Sequence, residues 1–180
     1  MATIVSHAVV ALAIGKALST GKEARKYYLA GALCAIMPDA DAVGYWLGVP
    51  YNSLFGHRGF THSFFFAVLL ATIMMTIFFA KNKFMSGAYL RIWCYFFLAT
   101  AMHPVVDAMT SGGLGVAFFS PFSNHRYFFP FRPIRVCSIG FGDLFSHRGV
   151  VIFASEFLWL WVPAGVVAGI ASLLTKKNVN

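Results

Sequence analysis

His103-Pro104-Val105-Val106-Asp107 sets an imidazole and a carboxylate four residues apart, on one face of a helix, so both can reach one metal ion or two adjacent ones. A second block, His57-Arg58-Gly59-Phe60-Thr61-His62-Ser63, places two histidines around an expected helix start, with Thr61 as the expected N-cap and free amides that favour anions. Pro38-Asp39-Ala40-Asp41 adds two carboxylates beside a helix breaker, and His7 lies near the start of the chain. Neutral imidazole and carboxylate together suit a divalent ion, Zn first, with Mn or Mg as alternatives. The pool of His7, Asp39, Asp41, His57, His62, His103 and Asp107 exceeds the four ligands of one tetrahedral site, so one to three ions are expected. Such a centre acidifies water and polarises a phosphoryl or carbonyl oxygen.

The elements that must carry these residues are apolar. Of 180 residues 59% are hydrophobic, 17% aromatic and 11% charged. A soluble domain carries about 25% charged residues, so the composition excludes a soluble globular domain and a disordered chain. It predicts an all-α polytopic membrane protein in a single membrane-embedded domain. About 20 apolar residues cross the hydrocarbon as a helix. The expected spans are 2–18, 27–49, 60–80, 88–110 and 149–174, the second broken at Pro38 to Asp41. Between the last two lies a Gly-, Pro-, Phe- and Arg-rich outer loop, 111–148, whose aromatic content predicts a folded cap over the site. The three cysteines form no CxxC and no disulfide framework.

Five spans sort the 14 basic residues: Lys16, Lys22, Arg25, Lys26, Lys81, Lys83, Arg91, Lys176 and Lys177 to one face, Arg58, Arg126, Arg132, Arg135 and Arg148 to the other. The positive-inside rule makes the first face cytoplasmic. All six histidines and five of the six acids, Glu23 excepted, then project toward the outer, periplasmic side. Intramembrane ionisable groups mark functional sites by default. The net charge of +8 is dispersed, without the stripe of a nucleic-acid binder, and fits anionic head groups instead. Taken singly, each feature has a plain reading: His7 as an interface residue, His103 and Asp107 as a helix-packing hydrogen bond, Asp39 and Asp41 as a proton relay, the loop arginines as head-group anchors. Seven such residues converging on one face favour a metal site. A short echo, Leu54-Phe55-Gly56-His57-Arg58-Gly59 against Leu144-Phe145-Ser146-His147-Arg148-Gly149, predicts that His147 and Arg148 join it.

The PDxD element, the HRGxTHS block, His103-x-x-x-Asp107 and the stretch from Thr110-Ser111-Gly112-Gly113 to Pro133-Ile134 resemble the YdjM-like (LexA-regulated) bacterial inner-membrane family. The resemblance covers the chain from His7 to Glu156 and implies inner-membrane residence and metal-dependent hydrolase activity. The order His, Asp, His, His-x-x-x-Asp is also similar to the ligand order of zinc-dependent phospholipase C and P1-type nucleases. It departs in lacking their N-terminal Trp and in the reversed Asp143-x-x-x-His147. The leading expectation is an enzyme, a metal-dependent hydrolase acting on a phosphoester of a phospholipid or lipid-linked substrate. Arg58 would stabilise the anionic transition state, and His62 or Asp41, whichever is not a ligand, would manage protons. Arg58, Arg126, Arg132, Arg135, His147 and Arg148 would hold the anionic substrate. The rivals are a metal-ion or proton transporter and a non-catalytic membrane regulator with a structural metal.

Overall fold

Ser and Thr side chains start four of the helices in the computed structural model, which describes residues 1–20, 23, 25–139 and 142–177. Thr3 caps α1 (Ile4–Ala17), Ser63 caps α4 (Phe64–Phe78), Ser86 caps α5 (Gly87–Ala108) and Ser146 caps α6 (His147–Glu156), each accepting a hydrogen bond from an amide of the first turn. Between α1 and α4 run α2 (Arg25–Ile36), a 3-10 turn (Met37–Asp41) and the short α3 (Ala42–Trp46). A π-helical segment, Phe157–Trp161, joins α6 to α7 (Val162–Lys177) as one continuous rod. Lys22 of the expected cytoplasmic charges lies outside the described residues, as do the side chains of Asp143, Lys176 and Lys177.

The described residues are all-helical apart from turns, loops and two isolated bridges, Thr110 with Ile134 and Val116 with Tyr127. Of the described helices, His147–Thr175 is both long and apolar enough to cross a membrane. Its 29 residues make about 43 Å at 1.5 Å each, against about 30 Å of hydrocarbon. Its most apolar stretch is only 11% buried, unlike the core helix of a soluble protein. The helices at the expected spans 2–18 and 60–80 are apolar but shorter, 14 and 15 residues. The expected span 27–49 is three pieces, because Pro38 has no N–H to continue α2 and the turn at Met37–Asp41 redirects the chain.

α5 is the central element, flanked by α1, α2 and α4, with α7 on the far side of α1. At one end their interior is an apolar core of Tyr27, Cys34, Ala71, Met75, Tyr95, Phe96 and Ala99. Tyr95 fills the space between α1 and α2; a Cβ at Gly31 would lie 1.9 Å from its Oη, so only glycine admits the ring. At the other end the interior is polar. The loop after α5 folds back over that end as expected of a cap: Ala117 N–H donates to Arg58 O, Phe129 N–H to Ala108 O and Ser111 N–H to Ile134 O.

Candidate metal centre

The break after Ile36 turns two carboxylates inward in different directions. On a 3-10 turn residues i and i+2 do not share a face, so Asp39 is aimed at α5 and Asp41 at residues 57–62. Asp39 Oδ1 lies 3.3 Å from His103 Nε2 and 3.6 Å from His62 Nε2. One helical turn on from His103, as the spacing predicts, Asp107 Oδ2 lies 3.6 Å from His62 Nε2. His62 and His103 face each other with their Nε2 atoms 3.1 Å apart.

The other ring nitrogens fix the tautomers. His103 Nδ1 is 2.6 Å from the Ala35 carbonyl, which only accepts, so Nδ1 carries the proton. His62 Nδ1 is 3.1 Å from Thr61 Oγ1, whose hydroxyl donates to Asp41 Oδ2 at 2.7 Å, so this Nδ1 is a donor too. In neutral rings both Nε2 atoms then present lone pairs to one another beside two carboxylates. Such a group needs a positive charge between its members, a proton or a cation. Asp39 Oδ1, His62 Nε2, His103 Nε2 and Asp107 Oδ2 supply one ligand atom each, mutually within 4.8 Å, and all four residues are buried. A tetrahedral ion with ligands at about 2.1 Å has ligand-to-ligand edges of about 3.4 Å, and the separations above, 3.1 to 3.6 Å, fit it. Both Asp39 oxygens lack a hydrogen-bond partner, which is costly in a buried carboxylate unless a cation is held there, whereas Asp107 Oδ2 already has Arg58 Nε at 3.0 Å. The residues present therefore fit a divalent ion.

Around this group stands a supporting layer. Asp41 accepts from His57 Nδ1 at 2.6 Å, from the Arg58 amide at 3.1 Å and from Thr61. These contacts orient the histidines around Asp41. Asp41, His57 and His62 form a second trio of close ligand atoms that shares His62 with the first. Burial, against the pull of Asp41, holds the His57 pKa below the ordinary imidazole range, so its ring is neutral. Its Nε2 is buried without a hydrogen-bond partner. His7 stacks on His103, rings 3.6 Å apart and 14° from parallel, and its Nε2 is 3.7 Å from Asp107 Oδ1. It lies beside the four-atom group and is not one of its members.

Arg58, expected to bind the anionic substrate and stabilise its transition state, is paired with a carboxylate instead. It is fully buried, with Nε 3.0 Å from Asp107 Oδ2 and its terminal nitrogens donating to Gly112 O and Thr110 Oγ1. Its backbone takes the left-handed conformation, φ 63°, uncommon for a side chain this large. Arg126 is half-buried and clamps the loop before it, donating to His57 O at 2.9 Å and Tyr51 O at 2.8 Å. The ion pairs and hydrogen bonds that hold the cluster among the described residues include neither Arg132, which lies over the Phe128 ring, nor Arg135, whose amide donates to Ser155 Oγ. His147 and Arg148 are exposed on the first turn of α6, so the echo of His57-Arg58 in sequence is not repeated in position. Thr61 is not the expected cap of α4: Ser63 is, and the Thr61 hydroxyl joins His62 to Asp41 instead.

Three contributors carry weak or no sequence signal: the Ala35 carbonyl, Thr110 beneath Arg58, and Glu156. Glu156 is fully buried and accepts from Thr3 N, Thr3 Oγ1 and Ser6 Oγ, each at 2.6 Å. With Ala2 N–H donating to Asp107 Oδ1 at 2.8 Å, it ties the start of α1 across the cluster and so sets His7 against His103.

The family model described as YdjM inner membrane protein matches residues 1–179. The inner membrane protein YbcI of Escherichia coli (strain K12) is 33% identical over 169 residues, covering 94% of this chain and 96% of that relative. No solved structure matches.

Proposed function

Because this chain belongs to the YdjM inner membrane protein family, we propose that it is a multi-pass, divalent-metal-dependent hydrolase of the bacterial inner membrane. Its substrate is a phosphoester of a phospholipid or lipid-linked molecule, met on the periplasmic side. The observation that carries this reading is the pair of Nε2 lone pairs of His62 and His103, 3.1 Å apart and flanked by Asp39 and Asp107.

Asp39, His62, His103 and Asp107 would hold the ion, for which zinc suits the two imidazoles and two carboxylates. When bound there, a divalent ion would lower the pKa of a water and polarise a phosphoryl oxygen. The chain's own residues do the rest. Arg58 holds Asp107 in place and offsets its charge. Asp41 orients His57 and His62 directly, at 2.6 and 3.1 Å, and His62 also through Thr61. His57, neutral and with a free Nε2, takes the proton that hydrolysis releases. The exposed Arg132 and Arg135 favour an anionic membrane surface near the cap. The positive-inside count supports the periplasmic assignment. A transport path would have to cross the opposite end, which Tyr27, Met75, Tyr95 and Phe96 fill, so the hydrolase reading is preferred over a transporter.

Elemental analysis of detergent-purified protein, beside phosphate release from a panel of phospholipids and lipid phosphates, tests this. The expected result is near-stoichiometric metal, turnover on at least one lipid, and loss of both in His103→Ala. Metal without turnover on any phosphoester would leave a structural-metal regulator and overturn the hydrolase. Full metal content in His103→Ala would remove His103 from the site.

A further inference from the structure

Asp39, His62, His103 and Asp107 are all buried, and so is Arg58 beside them. A substrate therefore reaches the cluster only if part of its wall moves. Most of that wall is firmly tied. Asp41 accepts three hydrogen bonds from residues 57–61, Glu156 accepts three from the start of α1, and the Ala2 amide holds Asp107. α2 and α5 are packed on each other through the apolar core.

The loop after α5 contains one stretch of a different kind. Ser111 N–H donates to Ile134 O, and Val116 is bridged to Tyr127. Between these ties residues 112–115 make no backbone–backbone hydrogen bond among the described residues. Three of the four are glycine, and Gly113 and Gly115 have φ of 93° and 84°, a conformation open to glycine and strained for other residues. Leu114 at the tip is more than half exposed. Side chains hold the stretch from below. Arg58 Nη1 donates to Gly112 O at 3.0 Å, Arg126 Nη1 to Gly115 O at 3.4 Å, and Tyr51 Oη meets the Leu114 amide. The stretch lies directly on the site, since a Cβ at Gly113 would be 2.8 Å from Arg58 Nη1 and 3.0 Å from Tyr51 Oη. An exposed segment without backbone pairing opens at lower cost than the packed elements around it.

We propose that residues 112–115 are a flap, hinged at their glycines between fixed ends at Ser111 and Val116, and that its lifting is the way into the cluster from the cap side. Lifting leaves Arg58 its contacts with Asp107 and Thr110 and exchanges only the Gly112 carbonyl for water or an anionic oxygen of the entering molecule. That this molecule is a phosphoester rests on the function proposed above; the flap does not.

The test uses the full chain in detergent and phenylglyoxal, which modifies accessible guanidinium groups, read by peptide mass. Arg58 should react, more slowly than the exposed Arg132 and Arg135, at a rate insensitive to low urea, because a local opening exposes little surface. A Cβ at Gly112 lies 3.5 Å from Val136 Cβ, a separation that a disulfide spans. Gly112→Cys with Val136→Cys, in a Cys137→Ala chain so that no neighbouring thiol competes, locks the flap on oxidation. Modification of Arg58 should then fall about tenfold and return on reduction, with Arg132 and Arg135 unchanged. Equal Arg58 rates in the oxidised and reduced forms, no modification of Arg58 in the wild type, or a rate rising steeply with urea overturns the flap. Hexadecyl phosphate with zinc should slow Arg58 modification in the wild type; no slowing overturns the phosphoester part alone. Phosphoester turnover that persists in the oxidised form overturns the flap as the entrance. A working lock in a protein that turns over no phosphoester counts against the hydrolase and leaves the flap standing.

Discussion

Replacing Arg58 by Met tests whether the guanidinium is a structural counter-charge to Asp107 or a free anion receptor. Both side chains are fully buried, and Arg58 Nε sits 3.0 Å from Asp107 Oδ2. Met keeps much of the volume and removes the charge, the Thr110 contact and the Gly112 contact. Asp107 is then left with the Ala2 amide at 2.8 Å as its close donor. Removing one partner of a buried ion pair costs about 3–5 kcal/mol, because the survivor is an uncompensated charge. For a chain of this length 1 kcal/mol moves Tm by about 2–4 °C, so Arg58→Met should lower it by about 6–20 °C. The assay is thermal unfolding of the detergent-solubilised protein, followed by tryptophan fluorescence in the presence of a chelator so that no metal offsets the loss. Adding Asp107→Asn to Arg58→Met removes the stranded charge as well and should restore most of the lost Tm. A single variant within about 2 °C of wild type, or a double variant whose loss is the sum of the two singles, would refute the counter-charge role.

Other consequences are open to direct measurement. Asp41→Asn leaves the four ligand atoms in place but loosens His57 and the Thr61 link to His62, and should weaken zinc affinity by about 10–100-fold in chelator competition. Ser63→Ala deletes the cap of α4 and should cost about 1 kcal/mol of stability with metal content unchanged, readable as a lower Tm at full zinc occupancy. Glu23 joins the start of α2 to α5 through Arg91 at 3.2 Å. Its desolvation is outweighed by hydrogen bonds from Ser19 and Thr20, which hold its pKa at about 2. A depressed carboxylate contributes stability above its unfolded value of 4.5 and loses it as pH falls toward 2. Glu23→Gln should therefore lower Tm near neutrality, flatten the Tm profile between those pH values and approach wild type as pH falls toward 2.

The local parts of the site were legible because local spacing determines them. His103 and Asp107 share a helical face by period alone, and Pro38 announces the break that turns Asp39 inward. What spacing could not do was separate Asp39 from Asp41. Two carboxylates two residues apart look equivalent in a sequence, and only the 3-10 turn sends one to the ligand group and the other to its support. The spans at 2–18 and 60–80 were drawn from apolar runs, whereas α1 and α4 stop earlier because hydrogen-bonded caps and turns, not hydropathy, end a helix. Arg58 reads in the sequence as a residue that binds the anionic substrate and stabilises its transition state, since nothing local reports that Asp107, far along the chain, is its partner. Glu156 falls inside the expected span 149–174, and its partners Thr3 and Ser6, about 150 residues away, leave no local trace of its role.

That last distance bears on how the protein is made. The Ala2 amide waits for Asp107, 105 residues later, and Thr3 waits for Glu156, 153 residues later. At about 5–20 residues per second, synthesis separates Thr3 from Glu156 by about 8 to 30 s. Throughout that interval the Thr3 and Ser6 hydroxyls lack the carboxylate that finally accepts from them, while His7 meets His103 and Asp107 about 50 residues sooner. The final position of the first helix thus depends on a contact that only the last helix supplies. Assembly of this fold ends where the chain began, and a chain halted before residue 156 would hold every candidate metal ligand yet lack the carboxylate that ties His7 beside them.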